Sequence, residues 1–195
     1  MNTILLAAGF STRMGQIKQI MALDGVPMAR RVAEAFLLPG NTIYVVIGAH
    51  GEAVRAIFDD FPCQFVVNQT PESGMFSSAQ AGCRAILDGE PALLCPCDCP
   101  GITLETVRSV KEKLDRSPDT IIIPSYQGRR GHPIGLPAWF IEHIQRLPPD
   151  TPGLRSLWPF FADRIVELDV LDAAILRDID TPQDIRGIFT PSGGA

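Results

Sequence analysis

Apolar residues in this chain follow two alternating rhythms. Short runs rich in β-branched and aliphatic side chains, "TILLA" at 3–7, "TIYVVI" at 42–47, "CQFVV" at 63–67 and further runs at 92–95 and 120–124, have the length and composition of strands. Between them, "PMARRVAEAFLL" at 27–38, "EAVRAIFDDF" at 52–61 and the stretches 77–88 and 103–116 space their apolar residues as helices do. Strands joined by helix-length connections cross over to pair in parallel, and a parallel sheet needs cover on both faces. The pattern predicts an α/β protein, a three-layer α/β/α sandwich around a Rossmann-like, mainly parallel sheet.

The regular alternation stops near residue 125. "SYQGRRGHPIGLP" at 125–137 has the glycine and proline content of a hairpin or a long functional loop, and "RLPPDTPGL" at 146–154 is a second such insertion before "RIVELDV" resumes a strand pattern. Both read as additions to one domain spanning 1–189. The tail "TPSGGA" at 190–195 offers nothing to bury and is expected to be disordered.

Composition narrows the function classes. A net charge of −5 with only three lysines argues against a nucleic-acid surface, which needs clustered cations. No apolar run is long enough to span a bilayer, so no membrane is expected. The first apolar run, "ILLAAGF", has no basic residue before it and passes straight into a polar loop, so a strand is expected there rather than a signal peptide, and a cytoplasmic location follows. The five cysteines are then expected as reduced thiols.

Ligands of open α/β sheets bind beyond the carboxyl ends of the strands, which directs attention to the loop "LLAAGFSTRMGQIKQ" at 5–19. Gly9 and Gly15 permit close approach of backbone N–H groups, while Ser11, Thr12, Arg13 and Lys18 supply donors and positive charge for a polyphosphate. The spacing fits neither G-x-G-x-x-G nor a P-loop, since Lys18 is followed by Gln19. A flexible surface turn is the alternative reading.

"LAAGFSTRMGQIK" resembles the signature L-A-A-G-x-S-x-R-M-G-x-x-K of nucleotidyltransferases of the nucleotide-diphospho-sugar transferase type, most closely the molybdenum cofactor cytidylyltransferase (MobA-like) branch. Four further stretches resemble that family in order: "SGMFSSAQAG" its G-M-x-x-S-L-x-x-G, "CDCP" its C-D-Q-P, "GRRGHPIGLP" its G-R-R-G-H-P, and "RDIDTPQD" its D-I-D-T-P-E-D. The resemblance implies that Leu6, Ala7, Ala8 and Gly9 line the nucleotide site together with Ser78 and Gly82. It implies that Arg13 and Lys18 hold the phosphates leaving as pyrophosphate, and that Asp98 is the principal metal ligand.

Transfer of a nucleotidyl group brings two anions together, and Mg²⁺ held by carboxylates relieves that repulsion. Asp98 directly follows an apolar strand pattern and so is placed at a carboxyl end beside the first loop. A second carboxylate is expected from Asp180, with Asp178 as its rival, although "DTPQD" also reads as a helix N-cap followed by proline. Arg129, Arg130 and His132 could bind an anionic acceptor, as arginine presents a planar fork to phosphate. The family's G-D-x-G-A-R corresponds to "DTPGLR", which keeps Gly153 and Arg155 but has Thr151 in place of aspartate. His50 and His143 read as surface or capping residues.

The spacing of Cys95, Cys97 and Cys99 does not match a structural zinc site. Cys95 reads as a small buried apolar residue, Cys97 matches C-D-Q-P, and Cys99 replaces the family's glutamine near the nucleotide or the acceptor. The expected activity is Mg²⁺-dependent transfer of CMP from CTP to the phosphate of molybdopterin or its molybdenum-loaded form. A molybdoenzyme or its maturation factor is the expected protein partner. Alternatives are a GTP-using guanylyltransferase, another small-molecule-phosphate cytidylyltransferase, and a non-catalytic molybdopterin-binding chaperone.

Overall fold

The computed structural model describes residues 1–11, 15–148, 150–179, 181 and 184. Arg13, Asp180 and the tail at 190–195 lie outside them. Strand β1 (Asn2–Leu6) leads through the first loop to a small antiparallel hairpin, β2 (Ala22–Leu23) and β3 (Val26–Pro27). Then follow α1 (Met28–Glu34), β4 (Thr42–Ile47), α2 (Gly51–Ala56), β5 (Gln64–Val67), α3 (Met75–Arg84), β6 (Ala92–Pro96), α4 (Leu104–Arg116) and β7 (Ile121–Tyr126). The last part of the chain contains β8 (Arg129–Arg130), β9 (Ile134–Leu136), α5 (Ala138–Arg146) and β10 (Ile165–Asp169).

The main sheet has the order β10-β7-β9-β6-β1-β4-β5, with β8 paired to β7. Pairing is parallel from β6 through β1 and β4 to β5, and between β7 and β10; only β9 and β8 run antiparallel to their neighbours. This is the expected mixed, mostly parallel α/β sheet with helices on both faces. Alternation along β1 divides the core: Leu5 packs with α1, α2 and α4, whereas Ile4 and Leu6 pack with α3 and α5. The region expected as a hairpin or long loop holds both, since β8 folds back on β7 and β9 inserts between β7 and β6. Among the described residues no helix is long and apolar enough to cross a membrane.

The helices end where local chemistry dictates. The pattern at 52–61 yields α2 only to Ala56, after which the chain closes tighter turns, with Phe58 N–H donating to Arg55 O and Phe61 N–H to Phe58 O. In α4, Thr103 caps the N-terminus by accepting from Thr106 N–H, and Val107, Val110 and Leu114 form the buried stripe. Asp172 locks this cap to the C-terminal segment, accepting from Thr103 N–H at 3.0 Å, Thr106 Oγ1 at 2.7 Å and Ala174 N–H at 2.9 Å.

Burial alone would push Asp172 up, but the bonds from Thr103, Thr106 and Ala174 outweigh it and hold the carboxyl below the ordinary 3.8. A lowered folded pKa gives stability that is present above the unfolded value and lost as pH falls through the folded one. Urea midpoints of the wild type should therefore fall between about pH 5 and about pH 3 more than those of Asp172→Asn. Parallel decline in the two proteins would refute this linkage.

Helix α3 crosses β1 so closely that Gly82 has no room for a side chain: a Cβ there would lie 2.3 Å from Ile4 Cγ2 and 3.1 Å from Val46 Cγ2. Alanine gains about 1 kcal/mol of helix propensity over glycine, whereas forcing a methyl into a filled core costs about 1–3 kcal/mol. Gly82→Ala should lower the urea midpoint with unchanged slope. A raised midpoint would show that propensity wins and that the contact is soft.

Candidate active site

The carboxyl ends of β1 and β6 and the first turn of α3 enclose a cavity of about 220 Å³. Leu6, Ala8 and Gly9 form one wall, Ser78 and Met75 another, and Lys18 and Asp98 close the end. The first loop is fixed by its own polar groups: Gln19, 3% exposed, donates to Gly9 O at 2.9 Å and accepts from Ser11 Oγ at 3.0 Å, and Lys18 N–H donates to that same Ser11 oxygen at 3.0 Å. Asn68 orients the opposite wall by donating to Ser77 Oγ at 2.9 Å and Ser78 Oγ at 3.0 Å.

Lys18 Nζ lies 2.7 Å from Asp98 Oδ2, with both side chains about 15% exposed or less. Such a desolvated pair fixes both groups, because removing either one leaves a poorly hydrated charge behind. Lys18 Nζ also donates to Ile179 O at 3.3 Å, and Ile179 N–H donates to Asp98 O at 2.9 Å. The segment carrying Asp178 is thereby clasped to the end of β6.

A second cavity, about 330 Å³, opens on the other side of Asp98 and shares Leu6, Met75 and Pro96 with the first. Its floor is apolar, with Leu94, Ile123 and Trp158, and its rim carries Arg130, His132, Arg155 and Asp178. A polar groove lined by Arg129, Arg130, His132, Arg155 and Asp178 continues outward from it. Arg130 is held by Glu167 at 2.7 Å. His132 is half-buried, and its Nδ1 is buried with no hydrogen-bond partner among the described residues. Burial pushes its pKa below the ordinary 6.5, against the opposing charges of Asp178 and Asp98. Gly131 next to it donates to Pro124 O, and a Cβ there would lie 2.2 Å from Ile175 O.

Asp98, Cys99 and Asp178 bring one ligand atom each within 4.8 Å of one another. That donor set, two carboxylates and a sulfur, fits a divalent cation. Hydrogen bonding to Cys95, burial, and the nearby Asp98 and Asp178 charges all raise the Cys99 thiol well above the ordinary 9.0. Cys95, Cys97 and Cys99 are all buried in the core on the α1, α2 and α4 side, although β6 itself ends at Pro96.

The structure gathers Leu6, Ala8, Gly9, Lys18, Ser78 and Asp98 around one cavity, and Arg129, Arg130, His132 and Arg155 around the adjoining groove. The Ala7 side chain packs in the core on the face of the sheet opposite Leu6, which leaves its backbone as the part beside the cavity, and Gly82 is buried against Ile4 and does not line the cavity. Arg13 and Asp180 lie outside the described residues, so Asp178 is the C-terminal carboxylate whose position is given. Gln19, Asn68, Met75 and Trp158 went unrecognised in the sequence because their roles depend on tertiary placement. His143, expected as a surface or capping residue, is half-buried and stacks on Phe140 with ring centroids 6.0 Å apart.

An open α/β sheet with a polar glycine-containing loop after β1 and an acidic residue beyond β6 places these cavities where open α/β sheets bind their ligands. Residues 3–165 match the family model described as the MobA-like NTP transferase domain, and the chain belongs to that family as a nucleotidyltransferase. The chain is similar to nicotine blue oxidoreductase of Paenarthrobacter nicotinovorans, 29% identical over 93% of each chain. It is also similar to the molybdenum cofactor cytidylyltransferase of Escherichia coli, 27% identical over 93% of this chain and 91% of the other. A Mycobacterium tuberculosis protein solved as a complex with manganese shares the fold, with a TM-score of 0.74, 19% identity and coverage of 95% and 96% of the two chains.

Proposed function

We propose that the protein transfers CMP from CTP to the phosphate of a molybdopterin-type acceptor. The observation that carries this reading is the position of Asp98 at the wall common to two cavities, with Lys18 on one side and Arg130, His132 and Arg155 on the other. The nucleotide occupies the cavity beside Ala8, Gly9 and Ser78, and the acceptor occupies the larger one, its flat apolar part on Trp158 and its phosphate toward Asp98. The acceptor phosphate attacks the α-phosphate and pyrophosphate leaves toward Lys18, joined by Arg13 according to the motif it belongs to. An ionised phosphate needs no general base, so the chain contributes orientation and charge stabilisation.

Asp98 and Asp178 would hold a divalent cation, which the family resemblance gives as Mg²⁺ and whose identity is taken up below, and the ion would neutralise phosphate charge when bound. Ala8 supports cytidine, since the guanylyltransferase branch usually has Ala-Gly-Gly at this turn. The test is pyrophosphate release with each nucleoside triphosphate and molybdopterin, with alditol phosphates as alternative acceptors. Turnover with CTP is expected. Turnover with GTP alone would overturn the base assignment, and turnover only with an alditol phosphate would overturn the acceptor. The same panel includes nicotine blue with a chemical reductant, because a relative of matching length has that oxidoreductase name. Bleaching of the dye without any pyrophosphate release would overturn the transferase reading.

A further inference from the structure

Cys99 occupies a position that burial alone does not explain. Its Sγ donates to Asp178 Oδ1 at 3.2 Å and to Asp98 Oδ1 at 3.5 Å. Lys18 engages the other Asp98 oxygen, Oδ2, so Oδ1 faces the thiol while the ion pair stays intact. Cys95 is equally buried, but its thiol donates to Pro96 O, a backbone carbonyl.

We propose that Cys99 supplies a sulfur ligand to the divalent cation held by Asp98 and Asp178, so that this chain selects a thiophilic ion such as Zn²⁺ or Co²⁺ over Mg²⁺. The inference rests on reading those two aspartates as the metal carboxylates. A tetrahedral ion with a metal–sulfur bond of about 2.3 Å and a metal–oxygen bond of about 2.0 Å places sulfur and oxygen about 3.5 Å apart. The two observed separations, 3.2 and 3.5 Å, already approximate those edges. Mg²⁺ requires an octahedron of oxygens at about 2.0–2.1 Å, and a sulfur in that shell disfavours it. His132, whose buried Nδ1 has no hydrogen-bond partner among the described residues, lines the same cavity as Asp98 and Asp178. On binding, the ion replaces the thiol proton, which passes to solvent, and the sulfur–metal bond replaces the S–H···O contact with Asp178.

The test uses the full chain stripped of metal by a chelator and titrated with Co²⁺. A near-ultraviolet sulfur-to-cobalt charge-transfer band is expected, retained in Cys95→Ser and Cys97→Ser and lost in Cys99→Ser. Stoichiometric Zn²⁺ should abolish the band, and about a thousandfold excess of Mg²⁺ should not. Cys99→Ser should lower the preference for Zn²⁺ over Mg²⁺ by about tenfold or more. Absence of the band in the wild type, its persistence in Cys99→Ser, or an unchanged preference overturns the proposal. X-ray absorption of the Zn²⁺-loaded wild type needs no variant: a sulfur shell at about 2.3 Å is expected, and a shell of oxygen and nitrogen alone overturns it. None of these readouts involves a nucleotide. Sulfur ligation without turnover of any triphosphate would sink the proposed function and leave this inference standing. Turnover of CTP by a protein whose metal shell holds no sulfur would do the reverse.

Discussion

Asp98→Asn is expected to lower kcat for nucleotidyl transfer about a thousandfold, equivalent to about 4 kcal/mol of transition-state stabilisation. Among the described residues this carboxylate is the acidic group that lines both cavities, with its partner Lys18 in the first, so in the proposed reading its charge acts where the two phosphates meet. Asparagine keeps the size and the capacity to accept a hydrogen bond from Lys18, but it no longer offsets the ammonium or the cation. A stability loss of about 1–3 kcal/mol should accompany the change, because Lys18 is left with a neutral partner in a site of little solvent. Kinetics measured below the onset of unfolding separate the two effects. A kcat within about threefold of wild type would remove Asp98 from the chemistry.

Gly131→Ala should cost about 2–3 kcal/mol of stability and, in the molecules that remain folded, most of the metal affinity. The obstacle is a backbone carbonyl, Ile175 O, 2.2 Å from the added Cβ, and a carbonyl cannot rotate aside as a side-chain end can. Relief requires the segment around Ile175 to retreat, and that segment also receives the His132 N–H and leads directly to Asp178. Gly82→Ala supplies the contrast, since it strains α3 against β1 and leaves the 175–179 segment where it is. Calorimetric titration with Co²⁺ beside urea melts checks this. Equal metal affinity in Gly131→Ala and wild type would show that the segment can move without carrying Asp178 with it.

Much of the architecture was legible because the signal was local. Strand β4 falls at 42–47 as its β-branched run predicts, and α4 follows its cap and apolar spacing. Strand β9 was not legible: Ile134–Leu136 is too short to show a period, and its place between β6 and β7 is decided by tertiary packing. Helix α5 has helical spacing at Phe140, Ile141 and Ile144, masked by glycine- and proline-rich flanks. The site follows the same division. Lys18 and Asp98 carry residue-type signals, but their contact spans 80 positions and the meeting of Cys99 with Asp178 spans 79, distances over which no local pattern reports.

The clasp of Ile179 onto Asp98 and Lys18 bears on how this family diversifies. The stretch matched by the family model ends at residue 165, whereas the segment carrying Asp178 and Ile179 lies beyond it. Two chains alike over that matched stretch can still differ in the donors they present from the segment that follows it. A chimera joined near residue 165 would therefore inherit its nucleotide loop from one parent and part of its cation chemistry from the other.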